Sequence, residues 1–264
     1  MSFRVVIPAR YASARLPGKP LLDIAGKTML QWVYERACAS QADEVLIATD
    51  DERVAASARA YAAIVVMTAP GHASGTDRVA EVVRLRGWDA RQIVVNAQGD
   101  EPLLPPSLIG QAARLLEQYP QADIATLATP VLSLAEFLDT NAVKVVTDAR
   151  QRALYFSRAP IPWARDGAPA GLSSQTLWQG ARRHVGLYAY RVGALQRMAL
   201  LPPSALEVSE HLEQLRALEA GFDIRVADGV EPPGPDVNTR ADLERVVPLL
   251  VASRVAVPAG LRRR

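Results

Sequence analysis

The chain has 264 residues, of which 49% are apolar and 22% charged. That length suits one α/β domain with an elaborated region, and the apolar share excludes disorder as its main state. Thirty basic residues against 28 acidic ones leave a net charge of +2, too small an excess for a dedicated nucleic-acid binder.

Cys38 is the only cysteine, so neither an intrachain disulfide nor a cysteine zinc site can form. A reducing, cytoplasmic setting is therefore expected. The early apolar run Val5-Val6-Ile7 ends at Pro8 and is too short for a secretory signal. The stretch from Val246 to Val257 is broken by Pro248 and Arg254 and is not expected to span a bilayer. The tail Arg262-Arg263-Arg264 reads as solvated, since three charges bind an anionic surface weakly.

Phe3 to Ile7 is a short β-branched run, and Thr28 can cap a helix through about Ala39 with Leu30, Val33 and Ala37 on one face. Strands are expected at Glu44–Ala48, Ile64–Met67, Ile93–Ala97 and Asp123–Thr129. Helices fall between them at Arg53–Ala62, Gly75–Leu85 and Pro106–Gln118. This alternation predicts a doubly wound, mostly parallel α/β sheet. Ligands bind such sheets beyond the carboxyl ends of the strands, so the loops Pro8–Pro20, Thr49–Asp51 and Gln98–Pro102 should share one cleft.

The second half is less regular. Val143–Val146, Ala153–Phe156, His184–Tyr190 and Asp223–Ala227 read as strands, and the Pro-, Gly- and Ser-rich Pro160–Gly180 as a long excursion. Leu206–Ala220 reads as one amphipathic helix with Leu212, Leu215 and Leu218 inside, and Asp242–Val251 as a closing helix after the rigid turn Pro232–Pro235. His211 follows Glu207 by four residues, the spacing of a surface pair.

The loop after the first strand carries Arg10, Arg15 and Lys19 among small residues. Small residues let backbone N–H groups approach phosphate oxygens, and three cations suit a nucleoside triphosphate. Lysine occurs elsewhere only at Lys27 and Lys144, so a compact ammonium inside this loop is notable in an arginine-rich chain. Ala25-Gly26-Lys27-Thr28 ends like a P-loop, but the required upstream glycine is Leu21, so it is no Walker A motif. Asp100, one glycine beyond a buried strand, sits where a carboxylate can reach the cleft, an ordinary turn aspartate being the other account.

Ile7-Pro8-Ala9-Arg10, Arg15-Leu16-Pro17-Gly18-Lys19-Pro20-Leu21 and Asn96-Ala97-Gln98-Gly99-Asp100-Glu101-Pro102 together resemble the 3-deoxy-manno-octulosonate (Kdo) cytidylyltransferases. The likeness continues in order through Ser74–Arg78, Val143–Val146, Tyr155–Arg158, Arg183–Tyr188, Leu212–Arg216 and Asp242–Arg245. It implies a nucleotide-diphospho-sugar transferase fold in a single domain spanning 1–264, with a sugar-binding and dimerisation region at about 131–200. It also implies that CTP and Kdo give CMP-Kdo and pyrophosphate, that Mg²⁺ is required, and that the enzyme is a cytoplasmic homodimer.

The resemblance implies site roles. Pro8, Ala9, Arg10, Ser13, Arg15, Lys19, Gly75, Arg78 and Asp100 should bind the nucleotide, with Arg15, Lys19 and Asp100 also catalytic and Asp100 the prime Mg²⁺ ligand. Gln98, Arg158, His184, Tyr188, Glu210 and Gln214 should bind the sugar acid. Arg158 and His184 would then meet its carboxylate and the others its hydroxyls, while a satisfied strand histidine is the other account of His184. Glu210 and Gln214, four apart, would share a helix face.

One departure concerns the metal. The family pattern Val-Asp-Thr before the closing helix reads Val237-Asn238-Thr239 here. Asp236 is two residues before Asn238, on the same side of an extended segment, so Asp236 is expected to supply the missing carboxylate with Asn238 beside it. Val208-Ser209 before Glu210 also departs from the pattern. A sialic-acid-type cytidylyltransferase and a non-catalytic CTP-binding protein are the rival functions.

Overall fold

The computed structural model describes residues 2–12, 16–168 and 170–253. The first strand, β1 (Phe3–Pro8), is followed by a hairpin of β2 (Asp23–Ile24) and β3 (Lys27–Thr28), then α1 (Met29–Cys38). Next come β4 (Glu44–Thr49), α2 (Glu52–Ala60), β5 (Ile64–Met67), α3 (Gly75–Leu85), β6 (Ile93–Asn96) and α4 (Pro106–Gln118). The middle holds β7 (Ile124–Pro130), α5 (Leu134–Leu138), β8 (Lys144–Thr147), β9 (Ala153–Ser157) and β10 (Arg182–Arg191). The chain continues through α6 (Val192–Ala199), α7 (Ala205–Glu210), α8 (Gln214–Glu219), β11 (Ile224–Asp228) and α9 (Arg240–Ala252).

The main sheet runs β11-β7-β10-β6-β1-β4-β5, with β8 and β9 joined at the side of β10. β1 pairs parallel with β4 and β6, β4 with β5, and β7 with β11. β10 is antiparallel to both β6 and β7. The sheet is thus mixed and mostly parallel, as the alternation predicts.

Burial on both faces explains why the strands read as apolar runs. Val5 and Ile7 of β1 join one core with Leu30, Val33, Leu108 and Leu116, while Val6 between them joins the other with Val79, Val83, Leu195 and Leu215. Each such side chain contributes about 1.5–3 kcal/mol on burial. Thr28, Ser74 and Thr239 cap their helices by accepting the Gln31, Asp77 and Asp242 amides. The Ala25-Gly26 pair is the hairpin turn, with φ of 54° and 83°, as a primed turn requires and a phosphate loop does not. Among the described residues no helix is long and apolar enough to cross a membrane.

The expected single helix Leu206–Ala220 is corrected. It is two short helices, α7 and α8, broken where His211 adopts a left-handed φ of 52°. Glu207 does not pair with His211. Its carboxylate receives Arg216 Nη2 and Nε at 2.6 and 2.7 Å and closes a capping box with Ser204. This partly buried pair draws α8 back against α7, and Leu212 and Leu215 enter the core at the break. Helix α6 starts directly after β10 and has no counterpart in the sequence reading.

Candidate active site

β1, β4 and β6 end on one edge of the sheet. The antiparallel β10 enters from that same edge. Its Tyr188 pairs with Asn96 at the end of β6, so Arg183–Gly186 run beyond it. The edge therefore carries loops from parallel strands on one side and the first half of β10 on the other.

Two clefts open there. The first, about 290 Å³, is lined by Pro8, Ala9, Arg10, Lys19, Gly75 and Arg78, among others, and by Asn238. The second, about 370 Å³, is lined by His184, Tyr188, Gln214 and Asp236, together with Glu101, Arg183 and Glu213. Gln98 and Asp100 border both, and are the residues the two linings share.

Glycine makes the junction possible. A Cβ on Gly99 would come within 2.9 Å of Pro8 O, so only glycine lets the β6 loop lie against the β1 loop. Gly18, at φ 69°, turns the chain so that Lys19 faces inward. Lys19 is buried, and its Nζ donates to Asp100 Oδ2 at 2.8 Å and Asn238 Oδ1 at 3.3 Å. Arg10 is exposed at the first cleft.

Arg78 is held from behind. Its Nη2 lies 3.1 Å from Asp50 Oδ2, and its Nη1 donates to Thr68 Oγ1. The loop Thr49–Asp51, expected to line the cleft, instead stands behind it and acts through Arg78. His72 is a lining residue that the sequence reading did not select, with Nε2 2.6 Å from Glu81 Oε2.

The late loop keeps the predicted alternation. Val237 is fully buried and its N–H donates to Asp100 O at 2.9 Å. Its neighbours Asp236 and Asn238 stand on the other side, with Asn238 Nδ2 donating to Asp236 Oδ2. Asp236 borders the second cleft and Asn238 the first. Among the described residues no group of three or more His, Cys, Asp or Glu forms a metal cage.

In the second cleft His184 is buried, and its Nε2 lies 2.9 Å from Thr126 Oγ1. The Thr126 hydroxyl spends its one proton on the nearby carbonyls, Leu187 O at 2.8 Å and Val185 O at 3.1 Å. Nε2 therefore carries the proton of a neutral ring and donates it to Thr126. Burial, aided by the Arg183 charge, pushes the imidazole down to about 3. The strand-histidine account of its hydrogen bond holds, and His184 brings no positive charge to the cleft it lines. Burial, then the charges of Asp100 and Asp236, push the Glu101 carboxyl up to about 8, and its Oε2 has no hydrogen-bond partner.

Arg158 and Glu210 lie outside both linings and hold each other. Arg158 Nε donates to Glu210 O at 2.7 Å, its Nη1 to Thr140 O at 2.9 Å, and its N–H to Glu210 Oε2 at 2.9 Å. Ser157 Oγ donates to Glu210 Oε1 at 2.6 Å. Glu210 ends α7 and Gln214 begins α8, so the two do not share a helix face. The fully buried Lys144 secures this clasp, donating to Asp139 O and Arg158 O at 2.8 Å each. Ser13 and Arg15 lie outside the described residues.

The chain matches known proteins along most of its length. A family model described as cytidylyltransferase matches residues 4–224. A 3-deoxy-manno-octulosonate cytidylyltransferase of Thioalkalivibrio sulfidiphilus is 53% identical over 252 residues, covering 96% of this chain and 100% of its own. That of Nitrosococcus oceani is 54% identical, covering 95% and 97%. A solved structure described as CMP:2-keto-3-deoxy-manno-octonic acid synthetase complexed with CTP superimposes with a TM-score of 0.84 at 44% identity, covering 96% of this chain and 99% of its own. A cytidylyltransferase of Leptospira borgpetersenii, at 16% identity and a TM-score of 0.61, shares the fold. With a cytidylyltransferase family model matching residues 4–224 and about half of all residues in common with such relatives, this chain belongs to the cytidylyltransferase family, alongside its 3-deoxy-manno-octulosonate cytidylyltransferase members.

Proposed function

We propose that this protein transfers CMP from CTP to the anomeric hydroxyl of Kdo, releasing pyrophosphate and forming CMP-Kdo for lipopolysaccharide synthesis. The observation that carries this reading is the shared wall, because Gln98 and Asp100 border both clefts. A nucleotide in one cleft and an acceptor in the other meet there, which is what an in-line displacement at the α-phosphorus needs.

Arg10 and Lys19 neutralise the triphosphate, and the capped N-terminus of α3, at Ser74 and Gly75, faces the same cleft. Arg78, fixed by Asp50, orients the nucleotide. In the second cleft Tyr188, Gln214 and the neutral ring of His184 offer hydrogen bonds to sugar hydroxyls.

Mg²⁺ fits the residues present. Asp100, Asp236 and Asn238 offer two carboxylates and an amide, hard oxygen donors too few for a closed cage, which leaves positions for phosphate and water. When bound, the ion would neutralise phosphate charge and polarise the phosphoryl group. Lys19 meanwhile keeps the Asp100 carboxylate in place.

The region about 131–200 exposes Leu132, Leu154, Trp163, Leu172 and Leu177, side chains suited to a second copy of the chain in a homodimer. A cytoplasmic location accords with the nucleotide substrate. The test is pyrophosphate release from CTP with Kdo, with and without Mg²⁺, alongside a sialic acid arm. Release only with Kdo and metal supports the reading, and no release with either acid overturns it.

A further inference from the structure

The second cleft presents an electrostatic problem for a sugar acid. Asp100, Glu213 and Asp236 line it, and a carboxylate ligand entering among these acidic residues is repelled. A bound Mg²⁺ would offset Asp100 and Asp236 but is committed to phosphate, so the acid needs a permanent cation of its own. Arg158 does not provide it, because its guanidinium is spent on Glu210 O and Thr140 O outside the lining. His184 does not either, since its ring is buried, neutral and bonded to Thr126.

Among the described residues that line the cleft, Arg183 is the one with a permanent positive charge. We infer that Arg183 receives the carboxylate of the acceptor sugar acid and so sets the selectivity of the second cleft for acids. Three observations support this. Arg183 is at the start of β10, the segment that runs past the end of β6 to the cleft. Its side chain is 44% exposed and therefore reachable. Its contact with Glu136 is a single one, Nη1 to Oε1 at 3.3 Å, which leaves the other face of the fork for a ligand. An acid in the cleft thus meets a guanidinium already oriented by one carboxylate.

The inference rests on the proposed acceptor being a sugar acid, and the experiment separates the two. Wild type, Arg183→Gln and Arg183→Lys are assayed by pyrophosphate release with CTP and either Kdo or its neutral C1 amide. CTP affinity and circular dichroism are measured on each. Wild type is expected to prefer the acid. Arg183→Gln should raise KM for the acid about 10- to 100-fold, the range of a lost charge-assisted bond, and erase the preference over the amide. CTP affinity should change less than about two-fold. Arg183→Lys should keep most of the preference, and it carries the test if the glutamine variant does not fold. A glutamine variant that still prefers the acid as strongly as wild type overturns the inference, as does a lysine variant that loses the preference while folded. Failure of wild type to use either acceptor overturns the functional reading instead.

Discussion

Lys19 and Asp100, 81 residues apart, join through Nζ and Oδ2 at 2.8 Å on the wall between the two clefts. The pair ties the loop after β1 to the carboxylate that borders both clefts. Asp100→Asn is expected to lower kcat/KM by about 10²–10³-fold, the effect of removing a preorganised charge from a reacting centre. Lys19→Arg should recover only part of the loss seen for Lys19→Ala, because a planar guanidinium does not replace a compact ammonium in a buried niche. Initial rates of pyrophosphate release, with thermal midpoints as a folding control, decide both.

Asp50 offers a second test, since it stands behind the first cleft and reaches it through Arg78. Arg78 is 4% exposed, and removing Asp50 leaves its guanidinium buried with Thr68 alone. Breaking a buried pair from one side costs about 3–5 kcal/mol, and the partial exposure of Asp50 puts this case at the lower end. Asp50→Ala should therefore lower the urea midpoint and raise KM for CTP, with KM for the sugar acid unchanged. An equal rise in both would contradict the assignment of Arg78 to the first cleft.

The His184 ring makes a prediction about acid stability. The unfolded chain protonates this imidazole below about 6.5, whereas the folded chain does so only below about 3. Between those values the unfolded state holds the extra proton, so the contribution of the neutral ring is complete above pH 6.5 and is lost as the pH falls towards 3. His184→Gln should flatten that part of the acid limb in denaturation curves taken from pH 7.5 to 4.5. A limb of unchanged steepness would mean that the ring is already charged in the folded protein.

The Mg²⁺ site proposed at the Asp236-Val237-Asn238 loop is open to titration. Asp236→Asn should raise the Mg²⁺ concentration for half-maximal rate, and Asn238→Asp should lower it by restoring a charged oxygen ligand. Metal titration of the two variants, read as half-saturation, tests the division of labour. An unshifted half-saturation in Asp236→Asn removes that residue from the metal site.

The first half of the fold was legible because its signals are local. Gly75–Leu85, Pro106–Gln118 and Ile64–Met67 begin and end where caps, prolines and apolar runs say they should. The two loops that hold Lys19 and Asp100 were legible for the same reason. The break at His211 was not, because the ion pair of Glu207 with Arg216 is a tertiary interaction laid over an unbroken helical pattern. The reversed direction of β10 was hidden as well, since one strand looks the same read either way. That reversal brings Arg183 to the cleft, and an arginine on a strand in an arginine-rich chain carries no signal of its own. Arg158 attracted attention through its motif, but its guanidinium binds main-chain carbonyls.

The direction of β10 has an evolutionary consequence. In the proposed reading the acceptor's carboxylate meets Arg183 near the start of one reversed strand, while the nucleotide cleft is lined from the loops after β1 and β6 and the start of α3. Substitutions in the opening turn of that strand can therefore retune which acid is activated while the cytidine seat is left intact, so a lineage can explore new acceptors without giving up its donor.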